Sequence, residues 1–323
     1  MNQISLSFLA NFNSAVPWGL WVSIYVWLVG ISCGAYAIVM WANLTNNAEA
    51  KKLTRIGVML ALSTLMVGLL SILIDLGHME RFYKLFISPS PSSVMACVVW
   101  MYNIYFILLA AVILFWLKSG TPRTIAQFSV IYAVLLIVME GLLFARPAGK
   151  AWHSPLFITH FITSSLVAGA GALILVTAVF WKQDGKGGQL RALAKIALPI
   201  VLLSLVVETV EIFARGTMAH MESLFMFLAA VAIAALLWNA RPAAITIAGV
   251  ISLISTLGVK YRSLISAQIA APYRGFENAY IEPKLAFNYF PTLPEVSIAA
   301  ALIALAAVIF YILYKLFPLT REG

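Results

Sequence analysis

Charge is scarce in this chain. Only 10% of its 323 residues are Asp, Glu, Lys or Arg, against about a quarter in a soluble globular domain. Such a surface cannot be wetted all round, which excludes an ordinary water-soluble fold. Cysteine is scarcer still. Cys33 and Cys97 both lie inside apolar stretches, with no CxxC or Cys/His cluster, so no bound metal, no iron–sulfur cluster and no disulfide framework is expected. Of the four histidines, His153 and His220 fall between apolar blocks and only His160 lies clearly inside one. A membrane cytochrome b holds haem between histidines on facing helices, so haem is not expected either. There is no Walker loop, dinucleotide fingerprint or HExxH. On this reading the chain cannot carry electrons over distance by itself.

What the chain has is hydrocarbon. Hydrophobic residues make up 63% and the mean hydropathy is +0.97. The apolar residues form nearly charge-free blocks of about 20, the length that crosses roughly 30 Å of lipid core. A strand barrel would instead alternate over ~10-residue segments. Helices satisfy their own backbone in lipid, so the expected fold class is an all-α integral membrane protein with about nine transmembrane helices. They are placed near 18–42, 55–77, 93–117, 124–145, 155–181, 193–213, 219–239, 242–264 and 294–317, in one polytopic membrane unit spanning 1–323. No basic stretch precedes the first block, so no cleaved signal peptide is read. The connection 265–293, with Pro272, Gly275, Pro283 and Asn288-Tyr289-Phe290-Pro291-Thr292, is long enough to suggest a functional loop.

The net charge of +9 does not point to nucleic acid, because the cations sit mainly in short connections where they set topology. One side collects Lys51, Lys52, Arg55, Lys118, Arg123, Lys182, Lys186, Arg191, Lys195, Arg241, Lys315 and Arg321. The other collects Arg81, Lys84, Arg146, Lys150, Arg215, Lys260, Arg262, Arg274 and Lys284, twelve against nine. The bias favours the N-terminus outside and the C-terminus in the cytoplasm. A weak internal echo links Leu70-Ser71-x-x-x-Asp75 with Leu203-Ser204-x-x-x-Glu208, four helices apart. It fits two four-helix bundles plus one extra C-terminal helix, and equally a chance likeness of two apolar segments.

An ionisable residue at membrane depth costs several kcal/mol and is a functional candidate by default. The candidates are Asp75, Glu140, His160, Glu208 and Glu211, with His78 and Arg262 at helix ends. By the orientation above, most lie in the outer half, which suggests one polar site facing outward. Asp75 and His78 are three residues apart and share a helix face. They could form a proton-exchanging pair or a plain interfacial ion pair. Glu208, Glu211 and Arg215 could be a helix-end charge network. Glu140 must pair or stay protonated. Asn103 stands among Trp100, Tyr102 and Tyr105, which suits a ring-shaped ligand or an interhelical hydrogen bond.

Pro17-Trp18-Gly19, Ile24-Tyr25 and Gly30-Ile31-Ser32-Cys33-Gly34 resemble the NrfD-like family, the membrane subunits of polysulfide reductase-type and formate-dependent nitrite reductase-type complexes. Within it the chain is most like the hydrogenase-2-type branch. Asp75-Leu76-Gly77-His78-Met79-Glu80-Arg81-Phe82-Tyr83-Lys84-Leu85 is similar to the family's DLGRPxRFxxL segment. Ser93-Val94-Met95, Arg262 and Tyr289-Phe290-Pro291-Thr292-x-x-Glu295 continue the likeness. His78 stands where the family has arginine, and Met79 where it has proline.

The resemblance implies a haem-free, quinone-binding anchor, with menaquinone or ubiquinone as ligand. It implies docking to an iron–sulfur electron-transfer subunit, with a hydrogenase, molybdopterin enzyme or cytochrome as catalytic subunit beyond. The setting implied is a bacterial or archaeal cytoplasmic membrane. Asp75 falls on the family's acidic quinone-site position and is expected to exchange the proton, with His78 as its partner. Asn103, Tyr102, Trp18 and Glu208 are pocket candidates, and Glu140, Glu211 and His160 are candidates for a proton path. The rivals are a proton channel or transporter using Asp75, Glu140 and Glu208, and a purely structural anchor.

Overall fold

The computed structural model describes residues 18–45, 52–76, 79–87, 93–118, 122–145, 155–180, 186–215, 221–269 and 289–317. Among these residues there are nine long helices and no strands. They are α1 (Leu20–Leu44), α2 (Thr54–Asp75), α3 (Val94–Lys118), α4 (Arg123–Ala145), α5 (Pro155–Phe180), α6 (Lys186–Arg215), α7 (Met221–Trp238), α8 (Pro242–Ile269) and α9 (Leu293–Leu316). A 3-10 turn (Met79–Arg81) and a one-turn helix (Lys84–Ile87) lie between α2 and α3. Eight helices are long and apolar enough to cross a membrane, and Leu224–Trp238 of α7 is a shorter apolar stretch. The chain is an all-α membrane protein.

The neighbours repeat with a four-helix offset. α1 packs on α2 and α4, and α3 touches both α2 and α4. In the same way α5 packs on α6 and α8, and α7 touches both α6 and α8. α1 also packs on α5, which joins the two groups, and α9 packs mainly on α2. This is the arrangement the Asp75/Glu208 echo suggests. α1 is central and almost wholly buried, whereas α3 and α6 are only partly covered and α9 keeps most of its length exposed. Those outer faces carry Ile107, Leu114, Phe213 and Val308, side chains suited to lipid.

Small residues set the seam between the groups. Without a hydrophobic drive between helices in lipid, close packing and polar contacts hold them together. A Cβ on Gly34 would strike the carbonyl of Ser165, and one on Gly169 would strike the backbone of Gly34 and Ala35. The α1 and α5 backbones therefore touch there. Several hydroxyls that face the core satisfy themselves within their own helices, as Thr64 Oγ1 does on Leu60 O at 2.8 Å and Ser165 Oγ on Phe161 O at 2.8 Å.

Two boundaries differ from expectation. α6 begins at Lys186, not near 193, although Gly187 and Gly188 weaken its first turn. α8 runs to Ile269, not to 264, so Lys260 and Arg262 lie about two turns inside the helix and not at its end among the connections. Lys260 is 1% exposed. Counting it among the topology-setting loop charges is therefore corrected by the structure. Only Tyr289–Thr292 of the predicted long loop is described beyond α8, and 270–288 lie outside the described residues.

Candidate functional site

Three polar assemblies occupy the interior. The first closes the end of the molecule where α1 starts and α2 and α8 finish. Trp18 N donates to Gln268 Oε1 at 3.0 Å, and Gln268 Nε2 returns a bond to Trp18 O at 2.9 Å. Leu20 N donates to Tyr289 OH at 2.8 Å, and Tyr289 OH donates to Glu295 Oε1 at 3.1 Å. Glu295 also completes a capping box with Thr292 at the start of α9, satisfying helix-end N–H groups that would otherwise be orphaned. Burial pushes the Tyr289 phenol above its usual range, and the nearby Glu295 carboxylate adds to this against the Leu20 backbone bond. Asp75, half-buried at the end of α2, lies within electrostatic reach of Glu295. Among the described residues Asp75 has no hydrogen-bond partner. Ser71, one turn earlier, ties α2 to α1 through Trp21 O at 2.8 Å.

The second assembly fills the first helix group. Tyr25 OH and Tyr102 OH lie 2.6 Å apart, and Tyr102 OH donates to Glu140 Oε1. Tyr25 lies within electrostatic reach of Glu140. Glu140 is 0% exposed, and its Oε2 has no partner among the described residues. Deeper along α1, Ser32 Oγ donates to Ala61 O at 2.7 Å and lies 3.1 Å from Tyr105 OH. Tyr36 OH donates to Ser129 Oγ at 3.0 Å. The residues at 25, 32 and 36 share one face of α1 by helical spacing. Together they line α1 with hydroxyls from Glu140 toward the opposite end.

The third assembly sits in the second group. His160 Nδ1 on α5 is 3.4 Å from Glu208 Oε2 and 3.6 Å from Glu211 Oε2 on α6. Arg262 on α8 reaches Glu208 Oε1 at 3.4 Å. The His160, Glu208 and Glu211 ligand atoms all lie within 4.8 Å of one another, but Arg262 already supplies a cation to balance the carboxylates.

Beside the first two assemblies runs a groove of about 400 Å³ between α2, the 79–87 segment and α3. Met66, Leu70, Leu76, Phe82, Phe86, Val99, Tyr102, Asn103 and Phe106 are among its lining residues. Met66, Leu70, Phe82 and Phe106 are exposed, so the groove opens on the lipid side. Tyr102 is its wall: it lines the groove while its hydroxyl reaches Glu140. Asn103 Nδ2 donates to Val99 O at 2.9 Å, which leaves the second N–H and the carbonyl of its amide for a ligand. Leu76, at the edge of the groove, follows Asp75 directly.

The structure thus brings Tyr102 and Asn103 together in the groove and places Glu140 behind its wall, while Asp75, next to the lining residue Leu76, is not among the residues that line it. Trp18 caps α1 against Gln268 and stacks edge-on against Phe144 at 5.6 Å. Glu208, Glu211 and His160 form their own cluster across the seam. His78 lies outside the described residues. Glu295, Tyr25 and Lys260 are functional candidates that sequence reasoning passed over. Lys260 was hidden because it lies near a helix end, where a cation reads as a topology signal. Its apolar flanks, Thr256-Leu257-Gly258-Val259 before and Tyr261 after, were the available clue.

Comparison with known proteins agrees with this architecture. The chain is 22% identical to a selenate reductase subunit of Mesobacillus selenatarsenatis, over 99% of this chain and 89% of that protein. It is 22% identical to the Hdr-like menaquinol oxidoreductase integral membrane subunit of Archaeoglobus fulgidus, over 97% and 88%. With the NrfD homolog of Haemophilus influenzae it shares 24%, over 58% of this chain and 67% of that protein. The family described as "Polysulphide reductase, NrfD" matches residues 9–272, well over half of the chain, and the protein belongs to that family.

Proposed function

We propose that this protein is the quinone-reactive membrane subunit of a multisubunit oxidoreductase, exchanging electrons between the quinone pool and a partner iron–sulfur subunit. The observation that carries the reading is the lipid-facing groove whose wall residue, Tyr102, is hydrogen-bonded to the membrane-buried Glu140. The names of the relatives, a subunit of a selenate reductase and a membrane subunit of a menaquinol oxidoreductase, support it.

The residues present fit such a ligand. Pockets for small molecules are mostly apolar with a few placed polar groups. Here Phe82, Phe86 and Phe106 offer ring surface, and the Asn103 amide offers a donor and an acceptor. The exposed side gives an isoprenoid tail a way into lipid. A bound quinol supplies two electrons and two protons on oxidation, and menaquinol and ubiquinol meet the same lining. Asp75, one residue before the lining residue Leu76, takes a proton from there; its carboxylate is half-shielded from water and has no hydrogen bond to give up. Tyr102 orients the headgroup and connects it to Glu140. The end closed by Trp18, Gln268, Tyr289 and Glu295 is the proposed outer face, against which the electron-transfer partner docks. The membrane is proposed to be a bacterial or archaeal cytoplasmic membrane, with the C-terminus inside.

The test is binding of a short-chain menaquinone analogue to the full chain in nanodiscs. Val99→Trp, which fills the groove, is expected to weaken binding at least tenfold. Unchanged binding would place the quinone elsewhere or nowhere on this chain. A second reading, a proton-conducting subunit using Asp75, Glu140 and Glu208, draws on the hydroxyl string along α1. Proton movement measured in proteoliposomes with and without quinol separates the two.

A further inference from the structure

Lys260 is the cation that neither reading uses. It projects from α8 into the seam between the helix groups and is 1% exposed. Its Nζ donates to Phe161 O at 3.0 Å and to Ser165 Oγ at 3.1 Å, and it lies 3.1 Å from the centre of the Phe161 ring. Ser165 in turn packs against Gly30 of α1. Among the described residues no carboxylate is within ion-pairing distance of Lys260. The acid that acts on it through space is Glu140 of α4, and the influence is mutual.

Isolated charge at this depth is costly, and both groups can shed it. A lysine ammonium has three N–H donors, and this site offers three acceptors: the carbonyl, the hydroxyl and the ring face. A neutral amine has two N–H donors, which the carbonyl and hydroxyl satisfy, and its lone pair is then free to take a proton. Glu140 mirrors this. Its Oε1 accepts from Tyr102, and its Oε2 has no partner among the described residues and can carry the proton or give it up. A surface lysine has no such matched set of buried acceptors.

We propose that Lys260 is a proton-exchanging site that works with Glu140 across the seam. In the forward step the Glu140 O–H bond breaks and an N–H bond forms on the Lys260 amine. A neutral pair thereby becomes a carboxylate and an ammonium. The reverse step restores the neutral pair, and no electron moves. The pair keeps zero net charge in both states, and the attraction between the two charges offsets part of the cost of forming them in a low-dielectric interior. Other titratable groups near the pair are Tyr25, Tyr102 and Cys33 on the Glu140 side. On the Lys260 side, His160 adjoins Phe161 and Arg262 lies two residues on. The site therefore stands between the hydroxyl-lined first group and the His160/Glu208/Glu211 cluster of the second. It does not require that a quinone bind, although a proton released in the groove would reach it through Tyr102 and Glu140.

The experiment is an infrared pH titration of the full chain in nanodiscs, following the protonated-carboxyl band that Glu140→Gln removes. Lys260→Met is expected to hold that band to higher pH by at least about one unit, tenfold in proton activity. Lys260→Arg, with its permanent charge, should move it at least as far the other way. Two midpoints that both match the wild type overturn the proposal. Nitrogen NMR of Lys side chains labelled at Nζ, with Lys260 assigned by its loss in Lys260→Arg, covers the case in which Lys260→Met does not fold. The Lys260 signal should change from ammonium toward amine in Glu140→Gln, and an unchanged signal overturns the proposal. Both readouts are independent of quinone binding, so failure of the groove assignment and failure of this one are separately visible.

Discussion

Asp75→Asn keeps the side chain's size and removes its ability to hold a proton. In the assembled complex it is expected to abolish quinone-linked turnover, a loss of about a hundredfold or more, while the subunits still co-purify. Turnover within a few-fold of wild type would remove Asp75 from the chemistry. Tyr102→Phe tests the wall of the groove more gently, since the ring stays and only the hydroxyl that joins Glu140 is lost. Binding of the quinone analogue should then persist while turnover falls at least tenfold. Tyr289 offers a pH-dependent measurement outside the membrane spans. Its folded phenol is held protonated by burial beside Glu295, so the folded state binds a proton more tightly than the unfolded one. The resulting stabilisation is fully present below the ordinary phenol range and is lost as pH rises through and beyond it. Tyr289→Phe should flatten that alkaline decline in a thermal melt. Asp75, Glu140 and His160 were legible as candidates because a charge inside an apolar block is conspicuous. Glu295 entered only as part of the family likeness, because a lone glutamate at the start of a helix is not conspicuous as a buried charge, and in the structure it also caps that helix.

At the scale of elements, the α1–α5 seam tolerates nothing larger than glycine at its closest points. Gly34→Leu or Gly169→Leu is expected to destabilise by several kcal/mol, since overpacking a formed interface costs about 1–3 kcal/mol even where backbones do not touch. Gly187→Ala is the control, because its added Cβ would meet Pro242 only at an ordinary 3.9 Å. Denaturant midpoints of the three variants in the same detergent decide the matter, and a Gly34→Leu midpoint equal to that of Gly187→Ala would contradict the packing. Helix positions were readable from block length, because lipid thickness fixes how many apolar residues a span needs. Helix ends beyond the hydrocarbon were not, because no such ruler applies there. This is why α6 starts earlier and α8 ends later than the pattern indicated.

At the scale of the whole molecule, nine crossings, α7 included, would put the two ends of the chain on opposite sides of the membrane. With the proposed orientation, cysteines introduced at Arg321 and at Arg81 should be labelled by an impermeant reagent from the cytoplasmic and the outer side respectively, and the reverse pattern would invert the topology. The sequence by itself determined that this chain is a bundle of membrane helices, roughly where each helix lies, and which charges are too expensive to be accidental, because hydrocarbon imposes length and composition locally. It also carried the family signature, since those residues are contiguous. Only the tertiary structure decided that the eight helices from α1 to α8 form two groups meeting at glycine and serine, that Tyr102 separates a groove from Glu140, that Glu208 belongs with His160 and not with Asp75, and that Lys260 is buried. Those facts depend on which helix faces which. In lipid, near-uniform apolar surfaces leave that choice to a few small and polar residues, whose partners lie dozens to hundreds of positions away.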